Sequence, residues 1–328
     1  MKVYVTREIP GEGIKMLKDK GYKVGVNSED RVLSKEEIIK NAKGCDALLC
    51  LLTDTIDAEV MDALLPNVKI IANYAVGFNN IDVKAAAERK LPISNAPGPE
   101  ITESVAEHTF MLMIALARRL VESDRFTRDG KYKGWGPSLF LGTDVHDKTL
   151  GVIGLGAIGK ALVERAVKGF KMKCLYQDVK RDEAFEKAYG AEFVTKEELL
   201  KRADFVSLHV PMLPSTKHLI STNEFKLMKP TAFLINTARG PVVDEKALLV
   251  ALHDKKIAGA GLDVFECEPA VDCDLTDNLE LRAMDNVILT PHTASATLET
   301  RGAMGVTAAK NVIAVLEGHE APNAIKSV

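Results

Sequence analysis

Thr149-Leu-Gly-Val-Ile-Gly-Leu-Gly-Ala-Ile-Gly-Lys160 decides the reading of this chain. Thr149 to Ile153 form an apolar run suited to a buried strand, and a helical pattern follows Gly156. The glycines at 154, 156 and 159 make G-x-G-x-x-G between strand and helix, an arrangement that seats a dinucleotide. Gly154 permits the tight turn, Gly156 lets backbone approach a pyrophosphate, and Gly159 lets the helix pack closely on the strand. The helix N-terminus then turns unpaired N–H groups and a positive dipole end toward phosphate. A second apolar run, Lys173 to Gln177, ends at Asp178, an acid at the distance where a ribose hydroxyl is read. A carboxylate there accepts from ribose hydroxyls and repels a 2′-phosphate. The expected cofactor is therefore NAD, with NADP disfavoured although Lys180 and Arg181 lie close by.

Upstream, short apolar runs (Lys2–Thr6, Tyr22–Val26, Ala47–Leu51, Lys69–Asn73, Pro92–Asn95) alternate with helical patterns. Ser34 with Glu37 reads as a capping box. Alternation of this kind predicts a parallel sheet covered by helices. Asn95-Ala-Pro-Gly-Pro-Glu100 interrupts it as a hinge or domain crossing. A long helix is expected from an N-cap at Thr102 through Glu122. It is apolar nearly all round, so it is buried in its own domain or at a subunit interface. Residues 125–148 read as irregular and contain the single tryptophan, Trp135. Beyond the glycine motif the expected strands are 173–177, 192–194, 205–208, 232–236, 259–263 and 287–289. A closing helix over 297–318 ends at a glycine and can return to the first unit. The fold class is α/β, with two doubly wound parallel-sheet domains.

Composition narrows the function. With 46% hydrophobic and 27% charged residues and a net charge of −3, the chain has no basic field for nucleic acid or membrane. No apolar run approaches the ~20 residues of a membrane span. The N-terminus opens directly as a strand, without a signal-peptide core. Cysteines 45, 50, 174, 267 and 273 show neither a disulfide framework nor a paired metal spacing. Cys267, Cys273 and His292 come nearest to a metal cluster, and no metal is expected. The expected setting is the reducing cytoplasm.

Ligands of open α/β sheets bind outside the carboxyl ends of the strands. Arg239, just past one such end, can hold a carboxylate bidentately. His292, past another, can exchange a proton near neutral pH. Glu266 and Glu268 follow a third, and either could orient the histidine.

Five pieces of sequence carry a resemblance. They are Tyr74-Ala-Val-Gly77; Lys148 to Gly156; Asn236-Thr-Ala-Arg-Gly240; Gly261-Leu-Asp-Val-Phe265 with Glu268-Pro269; and Pro291-His292 with Ala294-Ser295. Over nearly its whole length the chain resembles the D-isomer-specific 2-hydroxyacid dehydrogenase family. The resemblance implies Arg239, Glu268 and His292 as the catalytic set, choosing Glu268 because the family's acid directly precedes proline. It implies a discontinuous, flavodoxin-like substrate domain (1–98 and 297–328). It also implies a Rossmann NAD-binding domain (99–296) carrying a dimerisation helix and loop. Leu52, Val76 and Gly77 are implied as substrate contacts with Arg239 and His292, under a domain closure that excludes water. The cofactor contacts are Val105, Gly154, Gly156, Ala157, Ile158, Asp178, His209, Pro211, Thr237, Ala238, Asp263 and Ser295. Ala157 departs from the family's arginine at that position and removes one charged phosphate contact.

Within the family the chain is most similar to glyoxylate/hydroxypyruvate reductases, through Leu52-Thr-Asp-Thr55, Asn73 to Gly77, and Trp135-Gly-Pro137 with Leu141-Gly142. The implied reaction reduces glyoxylate or hydroxypyruvate to glycolate or D-glycerate in a homodimer, with Trp135 near an active site or packed in the interface. D-3-phosphoglycerate and D-lactate dehydrogenases are the alternatives, but Leu51-Leu52 offers no charge to a phosphate. A non-enzymatic NAD(H)-sensing corepressor is the alternative of another class.

Overall fold

The computed structural model describes residues 1–268 and 279–326. These divide into two compact units. One holds Met1–Ile101 with 296–326, the other Thr102–Glu268 with 279–295.

The first unit runs β1 (Lys2–Val5), α1 (Gly13–Asp19), β2 (Lys23–Val26), α2 (Lys35–Ala42), β3 (Ala47–Cys50), α3 (Ala58–Leu64), β4 (Ile70–Asn73), α4 (Val83–Glu88) and β5 (Ile93–Ser94). Its sheet is parallel, in the order β2-β1-β3-β4-β5. That is the flavodoxin-like order. β3 (Ala-Leu-Leu-Cys) and β4 (Ile-Ile-Ala-Asn) are buried at every residue, as strands covered on both faces must be. Ser34 and Glu37 form the capping box of α2, each side chain bonded to the other's backbone.

The second unit contains most of α5 (Pro99–Ala117). It continues with α6 (Leu120–Arg128), β6 (Thr149–Ile153), α7 (Ala157–Phe170), β7 (Lys173–Gln177), α8 (Glu183–Tyr189), β8 (Glu192–Phe193), α9 (Lys196–Arg202) and β9 (Phe205–Leu208). Next come α10 (Thr222–Leu227), β10 (Phe233–Asn236), a 3-10 turn (Gly240–Val242), α11 (Glu245–His253), β11 (Gly259–Leu262), α12 (Leu279–Ala283) and β12 (Val287–Leu289). The seven-stranded sheet is ordered β12-β11-β10-β9-β6-β7-β8, and all its ladders are parallel. Strand order reverses between β6 and β9, the switch point at which doubly wound sheets bind ligands. Apolar cores fill both faces, one around Leu234, Leu248 and Leu262, the other around Leu112, Val152 and Tyr176. α13 (Leu298–Leu316) belongs to the first unit, where it packs on α1, β3 and β4.

Several expectations are corrected. The long helix starts at Pro99, three residues before Thr102, because proline suits the first helical position. It ends at Ala117, not Glu122. The Ala117 carbonyl accepts from Thr143 N at 2.8 Å, and Arg119 takes a left-handed φ of 50°. The chain restarts as α6, so residues 125–128 are helical where irregular structure was expected. α8 and α12 were not anticipated, although Asp182 caps α8 through Phe185 N and Gly190 closes it at positive φ. Cys45, Cys50 and Cys174 are free, and Cys267 is disulfide-bonded, which the cysteine spacing did not indicate. Scattered spacing argues against a framework of bridges but says nothing about a single one. Cys273, named with Cys267 and His292 as the nearest approach to a metal cluster, lies outside the described residues. Among the described residues no group of three His, Cys, Asp or Glu side chains is arranged to hold a metal. No described helix is long and apolar enough to cross a membrane.

Candidate active site

Three adjacent strands of the second unit deliver the candidate chemistry. Arg239 follows β10, Glu268 follows β11 and His292 follows β12, all at carboxyl ends. His292 Nδ1 and Glu268 Oε2 are 2.6 Å apart. The Nδ1–H bond to the carboxylate leaves Nε2 as the ring nitrogen not engaged by Glu268. The neighbouring acid has a different partner, since Glu266 Oε1 lies 2.5 Å from His218 Nε2. Glu266 and Glu245 also accept from each other's backbone N–H, at 3.3 and 2.6 Å. Tertiary pairing therefore separates two glutamates that spacing alone left equivalent. Arg239 is half-buried, and its Nη1 donates to the Ala238 carbonyl at 2.6 Å. Burial lowers its pKa from the ordinary arginine value, and the Glu268 charge opposes that shift. Gly240 is required behind it, because a Cβ there would lie 1.8 Å from the Phe265 carbonyl oxygen.

His292 occupies the left-handed region at φ 52°, an uncommon conformation for a residue with a side chain. Asp263, fully buried at the end of β11, fixes it. The Asp263 carbonyl accepts from His292 N at 2.9 Å. Its carboxylate accepts from Thr290 Oγ1 (2.6 Å), Thr293 N (2.8 Å) and Ala294 N (2.8 Å). Burial would raise the Asp263 pKa. The hydrogen bonds from His108, Thr290, Thr293 and Ala294 outweigh it and hold the carboxyl below its usual value, as an anion.

The glycine motif follows β6. Gly154 has φ 95°, and a Cβ on it would meet the His209 backbone at 2.8 Å; one on Gly159 would lie 2.5 Å from the Gly154 carbonyl oxygen. At Gly156, which caps α7, nothing lies within 4 Å of that position. The cradle is thus closed against side chains from below and open above, as a pyrophosphate seated on the α7 N-terminus requires. Ala157 and Ile158 open α7. Asp178, at the end of β7, accepts from Leu155 N through Oδ2 and from Val179 N through Oδ1, both at 2.6 Å. Each oxygen retains a lone pair for a hydroxyl donor. Arg181 is held by Glu186 at 2.7–2.9 Å, and Glu186 also accepts from the Tyr176 hydroxyl. Among these residues the fit is to a dinucleotide.

His209 and Pro211 follow β9 on the other side of the switch point. Burial pushes the His209 pKa down to about 4, and its Nε2 lies 2.9 Å from Ser207 Oγ. It is therefore neutral near pH 7. Thr237 and Ala238 follow β10, and Thr237 Oγ1 is 2.8 Å from Thr109 Oγ1 on α5. Val105 is buried on α5, and Ser295 ends the His292 loop. Ser104 and His108 went unnoticed in the sequence. The available signal was two polar residues one helical turn apart on α5.

Leu52, Val76 and Gly77 lie in the first unit, past the ends of β3 and β4. The 51–54 turn is tied by Asp54, whose carboxylate accepts from Leu51 N (2.7 Å) and Thr6 Oγ1 (2.5 Å). Asn95 Nδ2 donates to the Val76 carbonyl at 2.7 Å, and Asn73 Nδ2 to the Gly77 carbonyl at 2.9 Å. In a trans peptide the N–H points opposite to the carbonyl. Holding the Val76 carbonyl therefore aims the Gly77 N–H away from Asn95.

Comparison with known proteins agrees with this architecture. Residues 110–294 match the family described as D-isomer specific 2-hydroxyacid dehydrogenase, NAD binding domain. A glyoxylate reductase of Korarchaeum cryptofilum is 48% identical over 325 residues, covering 99% of this chain and 95% of its own. One from Thermococcus litoralis is 46% identical over 328 residues, covering 99% and 96%. A crystal structure of a Thermus thermophilus protein superposes with a TM-score of 0.91 at 40% identity, covering 99% and 100%. That of a glyoxylate reductase from Paecilomyes thermophila gives 0.85 at 29% identity, covering 99% and 98%. The second unit is a dinucleotide-binding domain of the oxidoreductase type, and the chain belongs to the D-isomer-specific 2-hydroxyacid dehydrogenase family.

Proposed function

We propose that the protein reduces glyoxylate and hydroxypyruvate to glycolate and D-glycerate with NADH. The observation that carries the chemistry is the 2.6 Å Glu268–His292 pair on a strand end adjoining those of the Arg239 loop. The glyoxylate reductases that align over 99% of the chain support the substrate.

The bound nicotinamide supplies the hydride. The protein's residues do the rest. The Arg239 guanidinium holds the carboxylate of the 2-oxo acid and polarises its ketone. The backbone N–H groups of Val76 and Gly77 are the further carboxylate donors, with Leu52 as an apolar wall suited to a small substrate without phosphate. His292 delivers the proton from Nε2 to the developing alkoxide, and the Glu268 carboxylate at Nδ1 orients the ring for that transfer. The first unit is thus assigned as the substrate-binding domain.

NAD is assigned over NADP. Asp178 would face a 2′-phosphate with like charge, and Arg181 is engaged by Glu186. The cofactor contacts assigned are Val105, Gly154, Gly156, Ala157, Ile158, Asp178, His209, Pro211, Thr237, Ala238, Asp263 and Ser295. A homodimer through α5, α6 and the following loop is supported by a run of exposed apolar side chains: Leu120, Val121, Tyr132, Trp135, Leu139 and Leu141. Sedimentation as a monomer at micromolar concentration would reject it. The free thiols favour a cytoplasmic setting, and the Cys267 disulfide weighs against it.

The deciding experiment is a steady-state screen of 2-oxo acids with NADH and NADPH. Highest kcat/KM for glyoxylate or hydroxypyruvate with NADH is expected. Preference for pyruvate, a bulky 2-oxo acid or phosphohydroxypyruvate would overturn the substrate assignment.

A further inference from the structure

The turn that carries His292 is gripped at both ends from α5. Ser104 Oγ donates to the Ala294 carbonyl at 3.0 Å, and His108 Nε2 lies 3.0 Å from Thr290 Oγ1. Ser104 and His108 are one helical turn apart, so they share the face of α5 that meets this turn. Thr290 has one hydroxyl proton, and the 2.6 Å approach to Asp263 Oδ1 uses it. Its oxygen therefore presents a lone pair to His108, whose Nε2 must carry the proton. His108 Nε2 also comes within 3.4 Å of Asp263 Oδ1. Asp263 in turn holds the backbone N–H groups of His292, Thr293 and Ala294, and His292 stays in its left-handed conformation. Such backbone persists only where its surroundings over-determine it. His108 does not touch His292. It completes the hydrogen-bond set of the two residues, Thr290 and Asp263, that fix it.

We propose that His108 is a positioning residue for His292, acting through Thr290 and Asp263 with Ser104 securing the far end of the turn. The proposal rests on His292 being the proton donor. Arg239 stands on a different strand end and holds the substrate independently, so the effect belongs to turnover and not to substrate affinity. Misplacement of a reacting group by about 1 Å can cost on the order of 100-fold.

The test uses the full-length protein with NADH and glyoxylate. His108→Leu is expected to lower kcat by about 10- to 100-fold with KM for glyoxylate changed less than about threefold. His108→Gln, whose side-chain N–H can reach Thr290 as Nε2–H does, is expected to recover most of the loss. In the cofactor-free protein, histidine 15N NMR should show the His292 ring signals displaced by His108→Leu and restored by His108→Gln, with those of exposed His253 unmoved. Wild-type kcat in His108→Leu, equal damage in His108→Gln, or unmoved His292 signals would each overturn the proposal. Should His108→Leu fail to fold, Ser104→Ala is the second variant. A kcat drop of about threefold or more supports the proposal, and wild-type kcat with unmoved His292 signals rejects it. His292→Gln is measured in parallel. Near-normal turnover there removes the function reading itself, whereas loss there with wild-type turnover in His108→Leu removes only this inference.

Discussion

Glu268 Oε2 accepts from His292 Nδ1 at 2.6 Å, although 24 residues separate the two along the chain. The pair forms because β11 and β12 are adjacent and parallel, so their following loops emerge at the same sheet edge. Its geometry bonds Nδ1 to the carboxylate, so the proposed proton transfer is assigned to Nε2.

His292→Gln removes the proposed proton donor and keeps a polar side chain. Turnover should fall by about 10²–10⁴ with NADH affinity nearly unchanged. Stopped-flow turnover and fluorescence titration of NADH check this, and turnover within about threefold of wild type would reject the role.

Arg239→Lys keeps the charge but loses the planar fork. We expect kcat/KM for the 2-oxo acid to drop about 10- to 100-fold, in part through a raised KM. An unchanged KM and kcat would place carboxylate recognition elsewhere.

Asp178→Ala removes the like charge from the 2′ position and also the acceptor of Leu155 N. Both cofactors should bind less rigidly, but the NADPH/NADH ratio of kcat/KM should rise at least about tenfold. A fixed ratio would show that discrimination lies outside the Asp178 loop.

His209 gives a pH signature. Burial lowers its pKa from 6.5 to about 4, so the unfolded chain binds more protons between those values and stability rises with pH there. The contribution is complete above pH 6.5 and lost as pH falls toward 4, by up to about 3 kcal/mol. His209→Gln removes the titrating group, so its melting temperature should fall less between pH 7 and pH 4.5 than that of the wild type. Parallel Tm–pH curves would contradict this account.

The parallel α/β class, the twelve strands among the described residues and the dinucleotide cradle were legible in the linear chain. Periodicity, capping residues and glycine spacing are local properties, and each reports on backbone a few residues away. Arg239 and His292 were legible as candidates because they directly follow apolar strands. The break at Arg119 was not legible, since it depends on Thr143 donating to Ala117 from a distant point in the chain. The choice between Glu266 and Glu268 followed from resemblance, and residue spacing alone left it open. Only tertiary structure pairs one with His218 and the other with His292. It alone also brings Ser104 and His108 from α5 onto the turn of His292, and places Asp263 where one buried residue can hold three backbone N–H donors. Sequence determined which residues could do chemistry. Packing decided which of them meet, because hydrogen-bond partners across a sheet edge are set by strand order and not by separation along the chain.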